Sequence, residues 1–243
     1  MSAPLVRRSP THLGQVVAAG GLTARMRRVT VQADSMQNVE LRPAQDVELH
    51  LVDGSGRRVK RRYTIRQARP ELGELDLDVQ LHGDGPGAAW GLAAAPGDAI
   101  SFQGPRGKLQ LTAAQWHLLI GDESALPAIA SICEALPAGE RAIAAIEVQD
   151  AADEQPFPHT AQVNWVHRGD IEPGTPEHLV SAVAAHGLPD GQGHAYLLGE
   201  TRTMVAVRAL LESRGLAHDS IFLKGYWNIG RPDRIAGQRP SSR

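Results

Sequence analysis

The first half of the chain alternates between apolar and polar positions. Val47, Leu49 and Leu51 are separated by Glu48 and His50, and Leu75, Leu77, Val79 and Leu81 by Asp76, Asp78 and Gln80. A period of two with one polar face predicts half-buried strands. Arg28 to Val31 and Tyr63 to Arg66 also read as strands. Turn chemistry separates them at Asp53-Gly54-Ser55-Gly56, Arg69-Pro70 and Pro96-Gly97-Asp98. Several short strands with such turns predict a small antiparallel barrel or sandwich.

The rhythm then changes. Apolar runs fall at His117 to Ile120, Ala142 to Val148, Val163 to Val166, Ala195 to Leu198 and Ile221 to Leu223. Between them, Leu126, Ile129, Ile132, Cys133 and Leu136 fall at helical spacing, as do Met204, Val207, Leu210 and Leu211 before a stop at Gly215. Strands alternating with helices predict a parallel sheet covered on both faces. The expected domains are therefore residues 1–113 and 114–243, with the polar stretch from Arg234 frayed.

Composition narrows the function. Hydrophobic residues make up 42% of the 243, enough for a core in each half. A net charge of -2 excludes an overall basic nucleic-acid binder, so any attraction for an anion must come from local clusters. A single cysteine, Cys133, excludes an internal disulfide and a cysteine metal site. The ten histidines show no ligand spacing, so no intrinsic metal is expected. The start, MSAPLVRRSP, has no apolar core of signal-peptide length, and no stretch is apolar enough to span a bilayer. The expectation is a soluble cytoplasmic protein without stable membrane insertion.

Three segments carry candidate chemistry. Arg61-Arg62-Tyr63-Thr64-Ile65-Arg66 places arginine, tyrosine and a hydroxyl on one strand. That set suits a flavin: the arginine pairs with pyrophosphate, the tyrosine stacks on the ring, and the threonine bonds near the redox-active nitrogen. It equally suits an exposed basic strand. His82-Gly83-Asp84-Gly85-Pro86-Gly87-Ala88-Ala89-Trp90 ends a strand and opens a short helix around Gly87. Backbone amides at such a start favour a phosphate. Gly121-Asp122-Glu123-Ser124-Ala125-Leu126-Pro127 follows the first parallel strand, where nucleotide phosphates sit in such sheets, with Asp122 or Ser124 as helix cap.

Taken in order, RRYTIR at 61–66, HGDGPGAAW at 82–90, PGD at 96–98, GPRG at 104–107, GDESALPAI at 121–129, LGETRTMVAVRALL at 198–211 and KGYWNIG at 224–230 resemble the siderophore-interacting proteins. These are FAD-dependent ferric-siderophore reductases of the ferredoxin-reductase-like superfamily. The resemblance spans about Arg25 to Gly230. It implies an N-terminal antiparallel FAD-binding β barrel followed by a doubly wound parallel-sheet α/β domain for NAD(P)H and siderophore. It implies FAD contacts at Arg61, Arg62, Tyr63, Thr64, His82, Gly85, Gly87, Ala88 and Trp90. It further implies a nucleotide loop at Asp122, Glu123 and Ser124, a nicotinamide-side loop at Gly199 and Glu200, and an aromatic pair near the flavin at Tyr226 and Trp227. Serine often stands in this family where Ala88 stands here. The GDES loop is also less glycine-rich than in the pyridine-nucleotide reductases of the superfamily, and some members take electrons from a ferredoxin.

The implied activity moves electrons from NAD(P)H through FAD to siderophore-bound Fe(III), releasing Fe(II). Because ferric siderophores are often anionic, Arg25, Arg27, Arg28, Lys60, Arg66 and Lys224 are the candidates for a basic substrate pocket. A flavin reductase with another acceptor and a siderophore carrier that does not reduce are the competing readings.

Overall fold

The computed structural model describes residues 10–158 and 161–230. The stretch from Arg234 lies outside these. Six strands close an antiparallel barrel: β1 (Thr11–Thr23), β2 (Met26–Gln32), β3 (Asp46–Val52), β4 (Arg58–Arg69), β5 (Glu74–Gln80) and β6 (Ala99–Arg106), in the order β1-β2-β5-β4-β3-β6. The barrel closes where Thr11 of β1 pairs with Gln103 of β6. The apolar face read from the sequence is buried, with Val47, Leu49, Leu75, Leu77 and Val79 packed together with Phe102, but β5 is not half-exposed: Asp76 and Asp78 on its other face are buried under Arg69, Thr30 and Arg28. The strand expected at Tyr63 to Arg66 is the central part of a longer β4.

Helix α1 (Pro86–Ala93) lies against β5, so closely that a Cβ on Gly91 would sit 2.6 Å from Val79 Cγ1. Arg27 holds its far end. Its guanidinium donates to the carbonyls of Gly91, Leu92 and Ala94, where a cation also suits the helix dipole.

The last barrel strand ends at Arg106, and the first sheet strand begins at Trp116. Five parallel strands follow: β7 (Trp116–Asp122), β8 (Arg141–Val148), β9 (Ala161–His167), β10 (Gly193–Glu200) and β11 (Ile221–Trp227), in the order β11-β10-β7-β8-β9. Helix α2 (Leu126–Ala135) covers one face, over Leu119, Ile146 and Tyr196. Helices α3 (Pro176–Ala184) and α4 (Thr201–Ser213) cover the other, over Trp116, Ile120 and Leu197. Burial on both faces explains why the central strands β7, β8 and β10 read as mainly apolar runs, while the edge strands β9 and β11 are only half-buried. Helix α4 ends where Gly215 takes φ +91°.

Polar bonds join barrel and sheet at several points. Arg25 donates to Asp153 (2.5 Å) and Asp150 (3.1 Å), and Arg66 forks onto Glu134 with two bonds of 2.7 Å. Gln80 donates to Glu123 at 2.6 Å, and Ser131 Oγ accepts the Ala44 amide at 3.0 Å. Among the described residues, no helix is long and apolar enough to cross a membrane. Burial pushes the Cys133 thiol up to about 12, which keeps it protonated and inert.

His194, buried at the start of β10 beside His117 and Tyr196, has its pKa lowered by burial and by the neighbouring His117. Its folded-state pKa is below the unfolded one. Stability should therefore be unaffected above about pH 6.5 and fall as pH drops below it, because the unfolded chain then takes up a proton that the fold resists. Urea unfolding at about pH 7.5 and about pH 5.5 should show a smaller loss for His194→Phe than for the parent chain. Equal losses in the two proteins would exclude His194 as a source of acid lability.

Candidate functional site

Strand β4 presents two chemistries on its two faces. Arg61 and Tyr63 pair across the barrel with Leu49 and Val47, both fully buried, so these two side chains share the inward face. They meet the start of α1 there. A Cβ built on Gly87 would collide with the Tyr63 hydroxyl and lie 3.7 Å from Arg61 Cγ. Trp90, one turn on, meets the Tyr63 ring at 5.9 Å between centroids. Helix α1 opens on Gly85 with no side-chain cap, so its first amides are open to an external acceptor. Gly87 and Ala88 are buried at that start, while His82 is exposed in the loop before it. Arg62 points the other way and is exposed.

The outward face of β4 carries Lys60, Arg62 and Thr64, opposite His50, Glu48 and Asp46 of β3. Glu48 is the hub. It accepts from Lys60 at 2.7 Å, lies 3.6 Å from Arg62, and lies 2.9 Å from Arg106 Nη2, off the hydrogen-bonding direction. Desolvation opposes its charge, but the Lys60 ammonium and the Arg106 guanidinium outweigh that and lower its pKa to about 2. Asp46 accepts from Lys224 of β11 at 2.8 Å and lies 3.8 Å from Arg106. The Lys224 ammonium also sits 5.0 Å from the centre of the Tyr226 ring. The buried Tyr226 hydroxyl interacts with Thr64 but has no well-formed hydrogen bond, and burial raises its pKa. Asp46 Oδ1, His50 Nε2 and Arg106 Nε are likewise buried without a hydrogen-bond partner among the described residues. Such a concentration of unsatisfied polar atoms in one place marks a surface shaped for something besides the chain itself.

The loop after β7 turns its side chains inward. Asp122 accepts from Ser124 N and Oγ through Oδ1 and from Glu200 N and Trp227 Nε1 through Oδ2. It is the cap that the sequence suggests, for a single 3₁₀ turn leading into α2. Glu123 is buried between Arg168 (2.8 Å), the Gln149 amide (2.8 Å) and Gln80 of the barrel. Glu200 caps α4 through Thr203 N at 2.8 Å, and Gly199 holds φ +148°. Glu147, at the end of β8, bonds His178, yet burial dominates and raises its pKa.

The six cations expected to line one pocket do not gather in one place. Arg25 ties the barrel to Asp150 and Asp153, Arg27 caps α1, Arg28 forks onto Asp78, and Arg66 forks onto Glu134. Each meets a carboxylate or helix carbonyls facing it on a neighbouring element, and this fixes it in the scaffold. Only Lys60 and Lys224 converge, through Glu48, Asp46 and Arg106. Arg106 went unassigned in the sequence, as did the roles of Asp46 and Glu48. The signal was there: acidic residues alternate on one strand opposite basic residues alternating on the next. Among the described residues, no group of His, Cys, Asp or Glu side chains is placed to hold a metal.

Residues 114–230 match a family model described as siderophore-interacting protein, and residues 40–109 match one described as siderophore-interacting FAD-binding domain. The chain belongs to the siderophore-interacting protein family. It is 36% identical over 182 residues to the ferric vibriobactin reductase ViuB of Vibrio cholerae, covering 71% of this chain and 66% of that protein. Among solved structures, a siderophore utilization protein from T. fusca superposes with a TM-score of 0.85 at 31% identity, covering 93% of this chain and 95% of that one. The siderophore-interacting protein SipS from Aeromonas hydrophila gives 0.78 at 26% identity, over 92% and 94%. The ferredoxin reductase of carbazole 1,9a-dioxygenase shares the fold, at 0.72 and 18% identity, over 92% of this chain and 71% of that one. The architecture is thus ferredoxin-reductase-like, and the barrel is of the FAD-binding kind. Its residues fit that cofactor: an uncapped helix start, an arginine and a tyrosine on one strand face, and a glycine where a side chain would collide.

The contact at Gly87 makes a direct prediction. Gly87→Ala should displace the Tyr63 ring and leave purified protein with markedly less FAD. Tyr63→Ala and Arg61→Ala should do the same, while Arg62→Ala on the opposite face should not. Flavin absorbance per mole of folded protein measures all four, and equal FAD in Arg61→Ala and Arg62→Ala would refute the division of faces.

Proposed function

We propose that this chain binds FAD at the α1 end of its barrel and reduces siderophore-bound Fe(III), drawing electrons from a reduced nicotinamide. Arg61 and the open amides of α1 would take the FAD pyrophosphate, and Tyr63 with Trp90 would support the aromatic part. Bound FAD supplies the conversion between two-electron and one-electron chemistry. One reduced nicotinamide gives up a hydride, two ferric chelates each gain one electron, and one proton is left for solvent. Thr64 and Tyr226 bring hydroxyls to the outer face of β4, and Trp227 closes the carboxyl edge of the sheet.

A single observation carries the siderophore part of the reading: the cluster of Lys60, Arg62, Arg106 and Lys224 around only two carboxylates, Asp46 and Glu48. Four cations against two anions leave a positive surplus beside Thr64 and Tyr226, on elements of both domains. An anionic ferric chelate meets there what an anion needs, without any protein ligand to the iron. Hard oxygen donors hold Fe(III) more firmly than Fe(II), so reduction by itself loosens the metal. We place this chemistry in the cytoplasm.

Anaerobic mixing of the FAD-loaded protein with NADH or NADPH, with and without a ferric siderophore, tests the whole reading. The flavin spectrum should bleach with the donor and recover when the chelate is added. A bleached flavin that no ferric chelate reoxidises would point to another acceptor. Lys224→Glu narrows the site: it should raise the apparent KM for an anionic chelate roughly fivefold at low salt, the equivalent of about 1 kcal/mol for a partly exposed charge. The effect should shrink as salt rises and be small for a neutral chelate, with FAD content unchanged. An unaltered KM for the anionic chelate at low salt would remove Lys224 from the site.

A further inference from the structure

In an open α/β sheet, a nucleotide's phosphates settle outside the carboxyl ends of the strands where the strand order reverses, because backbone amides point there unpaired. In this chain the reversal lies between β7 and β10. Two of the amides at that point are already used, both by Asp122. Ser124 N donates to Asp122 Oδ1 at 2.9 Å and Glu200 N to Asp122 Oδ2 at 2.8 Å. Ser124 Oγ and Trp227 Nε1 fill the remaining acceptor positions. Gly199, at φ +148°, lets the β10 backbone approach so closely that an added Cβ would lie 2.6 Å from Asp122 Oδ2.

The crevice is also covered, and two glutamates are buried along its edge. Gly174, in the connection before α3, packs so tightly that a Cβ would sit 2.9 Å from both Glu200 Cγ and Trp227 Cη2. Glu147 and Glu200 are buried in the same edge, each held by its own partner. A pyrophosphate entering here would find those two amides taken and carboxylates beside them, with the exposed Arg202 drawn toward Glu200 at 3.9 Å.

We propose that Asp122 is an internal substitute for a nucleotide phosphate, so that a pyridine-nucleotide donor is recognised by its nicotinamide-ribose end alone. The adenosine half, with or without a 2′-phosphate, contributes nothing. This rests on the reading that a reduced nicotinamide is the donor, and it gives Asp122 a part in donor specificity through the amides it occupies.

Two measurements on the FAD-loaded protein test it. In steady-state kinetics, NADH, NADPH and reduced nicotinamide mononucleotide should give KM values within about threefold of one another. A preference of tenfold or more for a dinucleotide overturns the proposal. In calorimetric titration, the parent protein should not bind ADP-ribose at millimolar concentration, and saturable binding there overturns the proposal as well. Asp122→Asn replaces one acceptor oxygen with a donor, and Asp122→Ser shortens the side chain. At least one of them, folded and carrying FAD, should gain measurable ADP-ribose binding. If neither folded variant gains any, Asp122 is not what keeps the phosphate out. Failure of all three donors to reduce the flavin would sink the donor reading itself, and the titration would still decide the role of Asp122.

Discussion

The two halves of this protein meet on a buried carboxylate. Glu123 sits at the carboxyl end of the first parallel strand and takes Arg168 from the sheet domain and Gln80 from the barrel. An ionised carboxylate removed from water costs several kcal/mol unless paired and hydrogen-bonded, and removing one partner of such a pair typically costs about 3–5 kcal/mol. Glu123 is only 6% exposed and Arg168 7%, so neither charge has water to fall back on. Gln80 adds a hydrogen bond from the end of β5 to this buried pair, which favours keeping the barrel against the β7 loop. In that arrangement, Asp46 of β3 and Lys224 of β11 meet, and so do Thr64 and Tyr226.

A strand has two faces, and β4 uses both. Its inward face, with Arg61 and Tyr63, meets a helix start that only a glycine can bring close enough. Its outward face, with Lys60, Arg62 and Thr64, meets acidic residues of β3 and the last strand of the sheet. A cofactor held by the first face and a charged substrate drawn to the second would be separated by little more than one strand. A one-residue slip in the register of β4 would exchange these faces and dissolve both arrangements.

The carboxyl edge of the sheet is occupied by the chain's own side chains. The carbazole dioxygenase ferredoxin reductase shares the architecture at 18% identity, which speaks for the fold alone. The β7 loop carries an aspartate whose four acceptor positions are filled by its own neighbours, and a tryptophan indole is bonded into the same carboxylate.

Hydrophobic periodicity alone determined much of this protein. The strands around Val47, Leu75 and Arg28, the five apolar runs of the sheet, and the helices around Ile129 and Val207 follow from periods of two and of about 3.6, which need no knowledge of partners. The motifs RRYTIR and HGDGPGAAW were legible too, because a strand face and a helix start are local. β1, β6 and α3 were not legible. β1 reads THLGQVVAAGGLT, rich in small residues, and it is a strand because β2 and β6 supply the hydrogen bonds that close the barrel. The fate of the charges was equally hidden. Arg27 and Arg28 are adjacent, yet one caps a helix and the other pairs with Asp78, while Lys60 and Lys224 join one cluster from opposite ends of the chain. A charge's role depends on what faces it across space, and that is set by strand pairing and domain docking rather than by position in the chain.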